Sequence, residues 1–239
     1  MHRFYAPVAS FADDGVTLDA DETRHLRNVL RLRVGDEVSV FDGEGREFRC
    51  SVSEIAKNCS RLTVVESAAP TSPESPLELT LAATILNGEK YDLIIQKAVE
   101  LGVAALVPLL TIRCEVKLRD AIKRMDRWHR IALEATKQSG RGCIMEIAEP
   151  STFERVIAGS KDAHLALFSE RDGSDFSGLT QAAKMTVLIG PKGGWDDEEL
   201  EMARSRHLPV ITLGGRILRA ETAAIAVTAI LQHRFGDLN

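Results

Sequence analysis

The chain contains 239 residues, of which 44% are hydrophobic and 27% are charged, and its formal net charge at pH 7 is -5. This length suits two domains or one large one, and the composition is that of a globular protein with a sizeable core rather than of a disordered chain. No apolar run approaches membrane-spanning length, the first residues contain no secretory signal, and the four cysteines form no CxxC pair, so we predict a cytoplasmic protein without a membrane segment or a metal site.

The overall negative charge hides two basic segments. Residues 24–33 contain four arginines and no acid, and residues 113–141 contain nine lysines and arginines against four acids. A local basic surface matters more for binding a polyanion than the total charge does, so both segments are candidates for contact with RNA. Solvated helix faces are the alternative, and charge alone leaves both interpretations open.

The first 70 residues are typical of a small β-rich domain. Alternating apolar and polar residues predict strands at 36–41 and 47–55, joined by a glycine-containing turn, and another strand at 61–65. A short helix begins at Asp21. Several short strands with one helix favour a small barrel.

Three prolines, two serines and a threonine in residues 70–76 indicate a linker. We therefore predict one domain at 1–70 and a second at 71–239. After the linker, apolar runs alternate with helical periodicity, which predicts an α/β sheet covered by helices on both faces. The predicted strands are 77–86, 103–110, 163–168, 186–189 and 210–213, and the predicted helices are 91–101, 121–138, a short helix capped by Ser151 and Glu154, and 221–235.

Two helical features bear on packing. Trp128 has helical spacing from Met125 and Ile131, so we place it in the core rather than against a base. The helix at 221–235 is apolar almost all the way round, and its own sheet can cover only one side of it. Twofold self-association is the commonest solution, so we predict a homodimer; a helix enclosed within one subunit is the alternative.

Two glycine-rich turns carry the candidate chemistry. Residues 188–195 read LIGPKGGW and residues 213–222 read LGGRILRAET, and each follows a predicted strand and precedes a helix. Glycine lets the backbone approach a ligand and present its N–H and C=O groups. Neither turn has the order of a phosphate loop or of a dinucleotide fingerprint. Tight turns without a ligand are the alternative.

These residues resemble the RsmE family, small-subunit rRNA uridine-N3 methyltransferases of the SPOUT superfamily. Besides both turns, the resemblance includes Arg3-Phe4 and residues 25–31, 96–103 and 138–141, and it covers almost the whole chain. It implies an α/β fold: a knotted SPOUT (trefoil-knot) methyltransferase domain preceded by a small PUA-like β-barrel domain that binds RNA. It also implies pairing of two subunits through the knot region.

The resemblance further implies that the two glycine loops hold S-adenosyl-L-methionine. The cofactor-binding residues expected on this basis are Phe168, Leu188, Ile189, Gly190, Pro191, Gly193, Gly194, Leu213, Gly214, Ile217, Leu218 and Thr222.

Arg216, Arg219 and Glu221 are the candidate catalytic residues. Methylation requires a uridine N3 that has lost its proton; an arginine can stabilise the resulting anion, and a carboxylate can orient the arginine or accept the proton through water. The alternative is a helix N-terminus where Glu221 complements the dipole and the arginines are simply exposed.

The expected macromolecular partner is small-subunit rRNA or the assembled small ribosomal subunit, contacted mainly through phosphates. Arg24, Arg27 and Arg31 have spacings of three and four, which would bring them near one helix face. The candidate RNA-binding residues are Arg3, Arg24, His25, Arg27, Arg31, Arg113, Lys117, Lys137 and Arg141.

The chain departs from the family pattern at two positions, because Lys192 stands where the family usually has glutamate and Met145 where it usually has proline. Lys192 keeps a second hypothesis open, a non-catalytic RNA-binding protein with a degenerate cofactor loop. A third is a nucleotide-binding enzyme that uses the glycine turn for phosphate. Ligand binding distinguishes the three hypotheses. The methyltransferase would bind adenosylmethionine and adenosylhomocysteine, the non-catalytic RNA-binding protein would bind neither of these, and the nucleotide-binding enzyme would bind ATP or NAD.

Overall fold

The computed structural model describes residues 1–159 and 164–238, and the chain divides into two compact units. The first unit contains residues 1–74 together with 136–144, and the second contains residues 75–135 and those that follow 144. None of the helices in the described residues combines the length and the apolar character needed to cross a membrane.

The first unit is built on one six-stranded sheet in the order β1-β4-β5-β6-β3-β2. β1 runs parallel to β4, and the other neighbours are antiparallel. Apolar side chains from alternate strand positions, with Leu26 from the helix, form a separate core. The strands are β1 (Arg3–Tyr5), β2 (Phe11–Ala12), β3 (Gly15–Leu18), β4 (Glu37–Phe41), β5 (Glu47–Ile55) and β6 (Ser60–Ala68).

Local hydrogen bonds define the turn and the helix of this unit. The predicted hairpin is confirmed: Asp42 accepts the backbone N–H of Glu44 at 2.8 Å and of Arg46 at 3.0 Å between β4 and β5. The helix begins earlier than predicted, because Asp19 caps α1 (Ala20–Arg24) by accepting two backbone N–H groups. It continues as a π-helical turn over His25–Val29.

The second unit contains seven parallel strands in the order β10-β8-β7-β12-β11-β13, with β9 also paired to β8. The strands are β7 (Glu78–Thr84), β8 (Ala105–Leu110), β9 (Glu146–Ile147), β10 (Ser151–Thr152), β11 (His164–Phe168), β12 (Lys184–Ile189) and β13 (Val210–Ile211). The helices are α2 (Glu89–Glu100), α3 (Leu118–Ile122), α4 (Met125–Ser139), α5 (Phe153–Gly159), α6 (Asp197–Ser205) and α7 (Ala220–Phe235). The strand predicted to begin at Ala163 is described from His164 onward, and Ala163 lies outside the described residues.

Both faces of this sheet are covered, as predicted. One face packs with α2, α4 and α7 and includes Trp128, which is buried with its ring centroid 4.8 Å from that of Tyr91. The other face packs with α5 and α6 around Phe153 and Trp195. Successive residues of β12 alternate between these cores, so β12 is buried on both sides and its end is fixed in position.

Two local predictions are wrong. The helix expected over 121–138 is two helices, α3 and α4. Ile122, the last residue of α3, is 51% exposed, while Ala121 and Met125 are buried. Ser151 belongs to strand β10, where it is paired with Leu109, and therefore does not cap α5. Pairing of β10 with β8, a segment distant in sequence, decides the second case.

Candidate functional site

The candidate site lies where neighbouring strands end together. β11 lies between β12 and β13, and all three run parallel. The loop 190–196 leads from β12 to α6, and the loop 212–219 leads from β13 to α7. Both glycine-rich turns therefore occupy the carboxyl edge of the sheet, where α/β proteins bind ligands.

Trp195 fixes the first loop against β11. Its indole is fully buried, and Nε1 donates a hydrogen bond of 2.8 Å to the carbonyl of Phe168. A Cβ on Gly190 would lie 2.9 Å from this ring, so only glycine fits there without displacing the indole. Gly194 has a φ of 73° and faces the carboxylate of Glu170, which also requires a residue without a side chain.

Arg113 and Glu199 hold the other side of this loop. Arg113 donates to the carbonyl of Gly193 at 3.0 Å and pairs with Asp196 at 3.1 Å. The buried Glu199 carboxylate accepts the backbone N–H groups of Ile112 and Asp196, each at 3.0 Å. Burial raises the pKa of this carboxyl, and the two hydrogen bonds offset part of that effect. Asp196 and Glu199 form the capping box of α6, which the sequence analysis had not identified.

The two loops and the end of β11 enclose a cavity of about 290 Å³, close to the lower end of the size range of small-molecule sites. Its apolar walls come from all three segments, and Ser169 and Glu170 add a hydroxyl and a carboxylate. We call it the first cavity. Its lining residues are Phe168, Ser169, Glu170, Ile189, Gly190, Pro191, Lys192, Gly193, Gly194, Trp195, Leu213, Arg216, Ile217, Leu218, Ala220 and Ala223.

The structure brings most of the expected cofactor residues together at this cavity and leaves three outside its walls. Leu188 packs into the core on the α5–α6 face of the sheet. Gly214 and Thr222 are exposed and do not line the cavity. Ser169, Glu170 and Trp195 line it without having been named as site residues; Trp195 stood within the glycine motif, which was the one available signal.

A second cavity, of about 420 Å³, adjoins the first glycine loop. Pro191, Lys192 and Gly193 line both cavities. The start of α7 also borders both, because Ala220 lines the first cavity and Glu221 the second. The other residues of the second cavity are Ile85, Leu86, Asn87, Lys90, Arg113 and Glu115.

The three candidate catalytic residues lie in different places. Arg216 lines the first cavity, whereas Glu221 lines the second, is 15% exposed and pairs with Lys90 at 3.5 Å. Arg219 is exposed at the N-cap of α7, lines neither cavity and makes no capping bond with its side chain. Within residues 1–159 and 164–238, no group of three or more His, Cys, Asp or Glu side chains could hold a metal ion.

Of the candidate RNA-binding residues near α1, the three arginines are exposed and the histidine is half-buried. Arg24 and Arg27 are exposed; Arg24 pairs with Asp21, and Arg27 donates to Asn28. Arg31 is exposed but follows the helix with a φ of 56°, and a π-helical turn precedes it, so the helical-spacing argument for Arg31 is wrong. His25 is half-buried with its ring centroid 6.0 Å from that of Phe4.

Three other candidates are engaged within the first unit. Arg141, only 4% exposed, binds Glu74 at 2.6 Å. Lys137 binds the buried Glu22 at 2.7 Å. Arg3 binds Glu47 at 3.0 Å and donates to the carbonyl of Thr136 at 2.9 Å. These geometries argue against direct phosphate contacts, because such contacts would require breaking buried ion pairs. In the second unit Lys117 is exposed, and Arg113 is engaged with the glycine loop.

Comparison with known proteins agrees with this arrangement. An RNA methyltransferase domain family matches residues 73–232, and an RNA methyltransferase PUA domain family matches residues 18–63. Ribosomal RNA small subunit methyltransferase E of a Synechocystis species is 34% identical over 95% of this chain and 76% of its own length. The enzyme of that name from Rickettsia conorii is 31% identical over 98% of this chain and 95% of its own.

Solved structures agree as well. The crystal structure of ribosomal RNA small subunit methyltransferase E from Neisseria gonorrhoeae, bound to S-adenosyl methionine, superposes with a TM-score of 0.90 at 32% identity and covers all of both chains. The resemblance drawn from the glycine loops is thereby confirmed, as are an α/β methyltransferase fold and a PUA-like domain. The chain belongs to the family of ribosomal RNA small subunit methyltransferase E, the RsmE family.

Proposed function

We propose that this protein transfers a methyl group from S-adenosyl-L-methionine to N3 of a uridine in small-subunit rRNA. The observation that carries the proposal is the first cavity, built at the carboxyl edge of the sheet from both glycine loops. Membership of the RsmE family supports the reaction, and the relative from Neisseria gonorrhoeae binds the same cofactor.

The chemistry of the first cavity fits this cofactor. Leu213, Ile217 and Leu218 provide an apolar wall for an adenine ring, while the backbone of the 190–194 loop provides polar groups for its edge. Ser169 and Glu170 suit the ribose hydroxyls or the ammonium group of the methionine end. When bound, the cofactor supplies a methyl group on a positively charged sulfur. Gly214 remains in the proposal as part of the second binding loop, and Leu188 and Thr222 remain as neighbours of the two loops.

The protein must help N3 of the uridine to lose its proton. Arg216, in the first cavity, is placed to stabilise the uridine anion. Glu221 lines the adjoining cavity and can receive the proton through water, with Lys90 holding its carboxylate. Arg219 is exposed and remains a candidate for contact with the RNA or with a second subunit.

We propose that the first domain, at 1–70, holds the RNA and that the second, at 71–239, performs the reaction. Lys117 of the second unit is exposed and fits a phosphate contact. Arg24, Arg27 and Arg31 of the first unit are also exposed and fit phosphate contacts, with His25 in the same segment. Arg3, Lys137 and Arg141 support this surface from within. The substrate is free rRNA or the assembled small subunit, and the protein acts in the cytoplasm.

We also propose a trefoil knot formed by the two glycine loops, and a homodimer. The dimer is supported by α7, where Ala224, Val227 and Leu231 are buried while Ile225 and Ile230 remain half-buried on another side. An apolar side of a helix that its own subunit covers incompletely is suited to twofold pairing.

Mass spectrometry of nucleosides from small-subunit rRNA tests the function directly. Cells without the protein should lack one 3-methyluridine, and a plasmid copy of the gene should restore it. An unchanged nucleoside profile would overturn the substrate assignment. Calorimetry on the purified protein separates the two rival hypotheses, since a non-catalytic RNA-binding protein would bind no adenosylmethionine and a nucleotide-binding enzyme would bind ATP or NAD instead.

A further inference from the structure

The second cavity carries an inference that rests on the proposed function. It shares the loop residues Pro191, Lys192 and Gly193 with the first cavity, and the start of α7 borders both. Methyl transfer requires the donor and acceptor atoms to approach within about 3–3.5 Å, so the acceptor must occupy a space next to the cofactor. The second cavity is such a space.

The charged side chains of the second cavity differ in how closely they are bound to partners within the protein. Arg113 is committed to the Gly193 carbonyl and Asp196, and Glu115 accepts the side-chain N–H of Asn87 at 2.8 Å. Lys90 lies 3.5 Å from Glu221, longer than a well-formed charged hydrogen bond of about 2.7–2.9 Å.

Lys192 is the second lysine of this cavity. It is exposed, and across the described part of the chain the structure records no ion pair for it. Two lysines from different elements, Lys90 of α2 and Lys192 of the first glycine loop, therefore line one cavity.

We propose that the second cavity binds the acceptor nucleotide of the RNA, with Lys90 and Lys192 holding its flanking phosphates. Ile85, Leu86 and Pro191 supply apolar surface for the base, and Asn87 and Glu221 supply polar groups for its edge. Phosphate contacts fix the position of a nucleotide without reading its sequence. Lys90 is thus a positioning residue that links the backbone of the RNA to the Glu221 carboxylate.

In this role, the lysine at position 192 favours RNA binding more than the usual glutamate of the family would. Where the family usually has glutamate, this chain places a cation at the wall that the two cavities share. The proposed RNA contact through Lys192 therefore depends on a position at which this chain departs from the usual family residue, whereas the contact through Lys90 does not depend on that position.

Lysine variants test the proposal. Lys90→Gln and Lys192→Gln remove one charge each, and Lys97→Gln is the matched control, because Lys97 lies two turns further along α2 and pairs with Glu100 at 2.8 Å. The measurements are the Kd and KM for small ribosomal subunits purified from cells that lack the protein, at several salt concentrations, and the Kd for adenosylmethionine.

We expect each cavity variant to raise the Kd and KM for the subunits about five- to tenfold and to reduce the salt slope of binding by about 0.7. The Kd for adenosylmethionine should not change in Lys90→Gln, because Lys90 lines the second cavity and not the first. Lys97→Gln should match the wild type. Subunit binding like that of the control in both variants would overturn the proposal, as would a loss confined to adenosylmethionine binding. A wild-type protein that binds no adenosylmethionine would instead overturn the proposed function, and the inference with it.

Discussion

Gly190 and Gly193 differ in what surrounds them, although the motif presents them alike. A Cβ on Gly193 would meet only the Cδ of Arg113, at the ordinary distance of 3.8 Å. A Cβ on Gly190 would press on the buried indole of Trp195, whose hydrogen bond to Phe168 joins the loop to β11. Gly190 is thus the position at which loop packing and cavity shape depend on each other.

We expect Gly190→Ala to weaken adenosylmethionine binding at least tenfold. Overpacking of a close-packed site costs about 1–3 kcal/mol, and displacement of Trp195 distorts the wall of the first cavity. Calorimetric titration measures the effect. Gly215→Ala is the control, because a Cβ there meets nothing within 4 Å. Wild-type affinity in Gly190→Ala would show that the ligand does not depend on this wall.

The two glycine-rich motifs predicted residues that line the first cavity where those residues belong to the motifs themselves. Nine of the expected cofactor residues and Arg216 line one cavity. Ser169 and Glu170 were missed because they follow β11 without any motif, and they reach the cavity only through the parallel pairing of β11 with β12. The burial of Arg141 was missed because its partner, Glu74, is 67 residues away in sequence.

At the scale of helices and strands, local sequence patterns alone do not predict every cap and boundary. Both Ser151 with Glu154 and Asp196 with Glu199 have capping-box spacing, yet only the second pair forms one. Ser151 is instead held by pairing of its strand with β8, a contact between segments distant in sequence. Alternation and turn chemistry located the β4–β5 hairpin correctly because both signals are local.

The β4–β5 turn has a measurable dependence on pH. Burial opposes ionisation of Asp42, but hydrogen bonds from the backbone of Glu44 and Arg46 and from the Arg46 side chain outweigh it, so the pKa of Asp42 lies below its usual value of 3.8. A carboxyl with a lowered pKa in the folded state stabilises the fold above the unfolded pKa, and this stabilisation is lost as pH falls through the folded pKa.

Asp42→Asn should therefore lower the free energy of unfolding at pH 7 by about 1–2 kcal/mol, because it loses the charged hydrogen bond to Arg46. At a pH below the lowered pKa of Asp42 the difference from the wild type should shrink, because Asp42 itself is then protonated. Denaturant unfolding at both pH values measures it, with Glu66→Gln on the exposed Arg49–Glu66 pair as the control. An equal difference at both pH values would contradict this account of the turn.

At the scale of the whole molecule, the alternation of strands and helices predicted the parallel sheet, since each element shows its own period. The return of residues 136–144 to the first unit could not be predicted. It depends on Arg3, Glu22 and Glu74 meeting groups more than 60 residues away, which no local pattern records. The proposed knot and the proposed dimer would likewise be relations between distant segments or between chains, so both proposals rest on the family and on the surface of α7.

The proposed homodimer predicts that Ile230→Asp dissociates the protein. Ile230 is half-buried on α7, and a carboxylate there would be desolvated without a partner in a dimer interface. Light scattering should show the monomer mass for the variant and twice that mass for the wild type, and methyl transfer should fall with dissociation. Val65→Asp, on an exposed side chain of β6, should leave the mass unchanged. An active wild type with a monomer mass would contradict the prediction.

Because the first unit combines residues 1–74 with residues 136–144, its two segments are synthesised at different times. Its sheet is complete at Ala68, but the carbonyl that receives Arg3 and the ammonium that pairs with Glu22 belong to Thr136 and Lys137. At about 5–20 residues per second, a ribosome needs several seconds to pass from residue 74 to residue 144. During that interval Arg3 and Glu22 lack their partners in residues 136–144. The first unit is complete only when that segment has been synthesised. The first unit can therefore be completed only after residues 75–135, which belong to the second unit, have been synthesised.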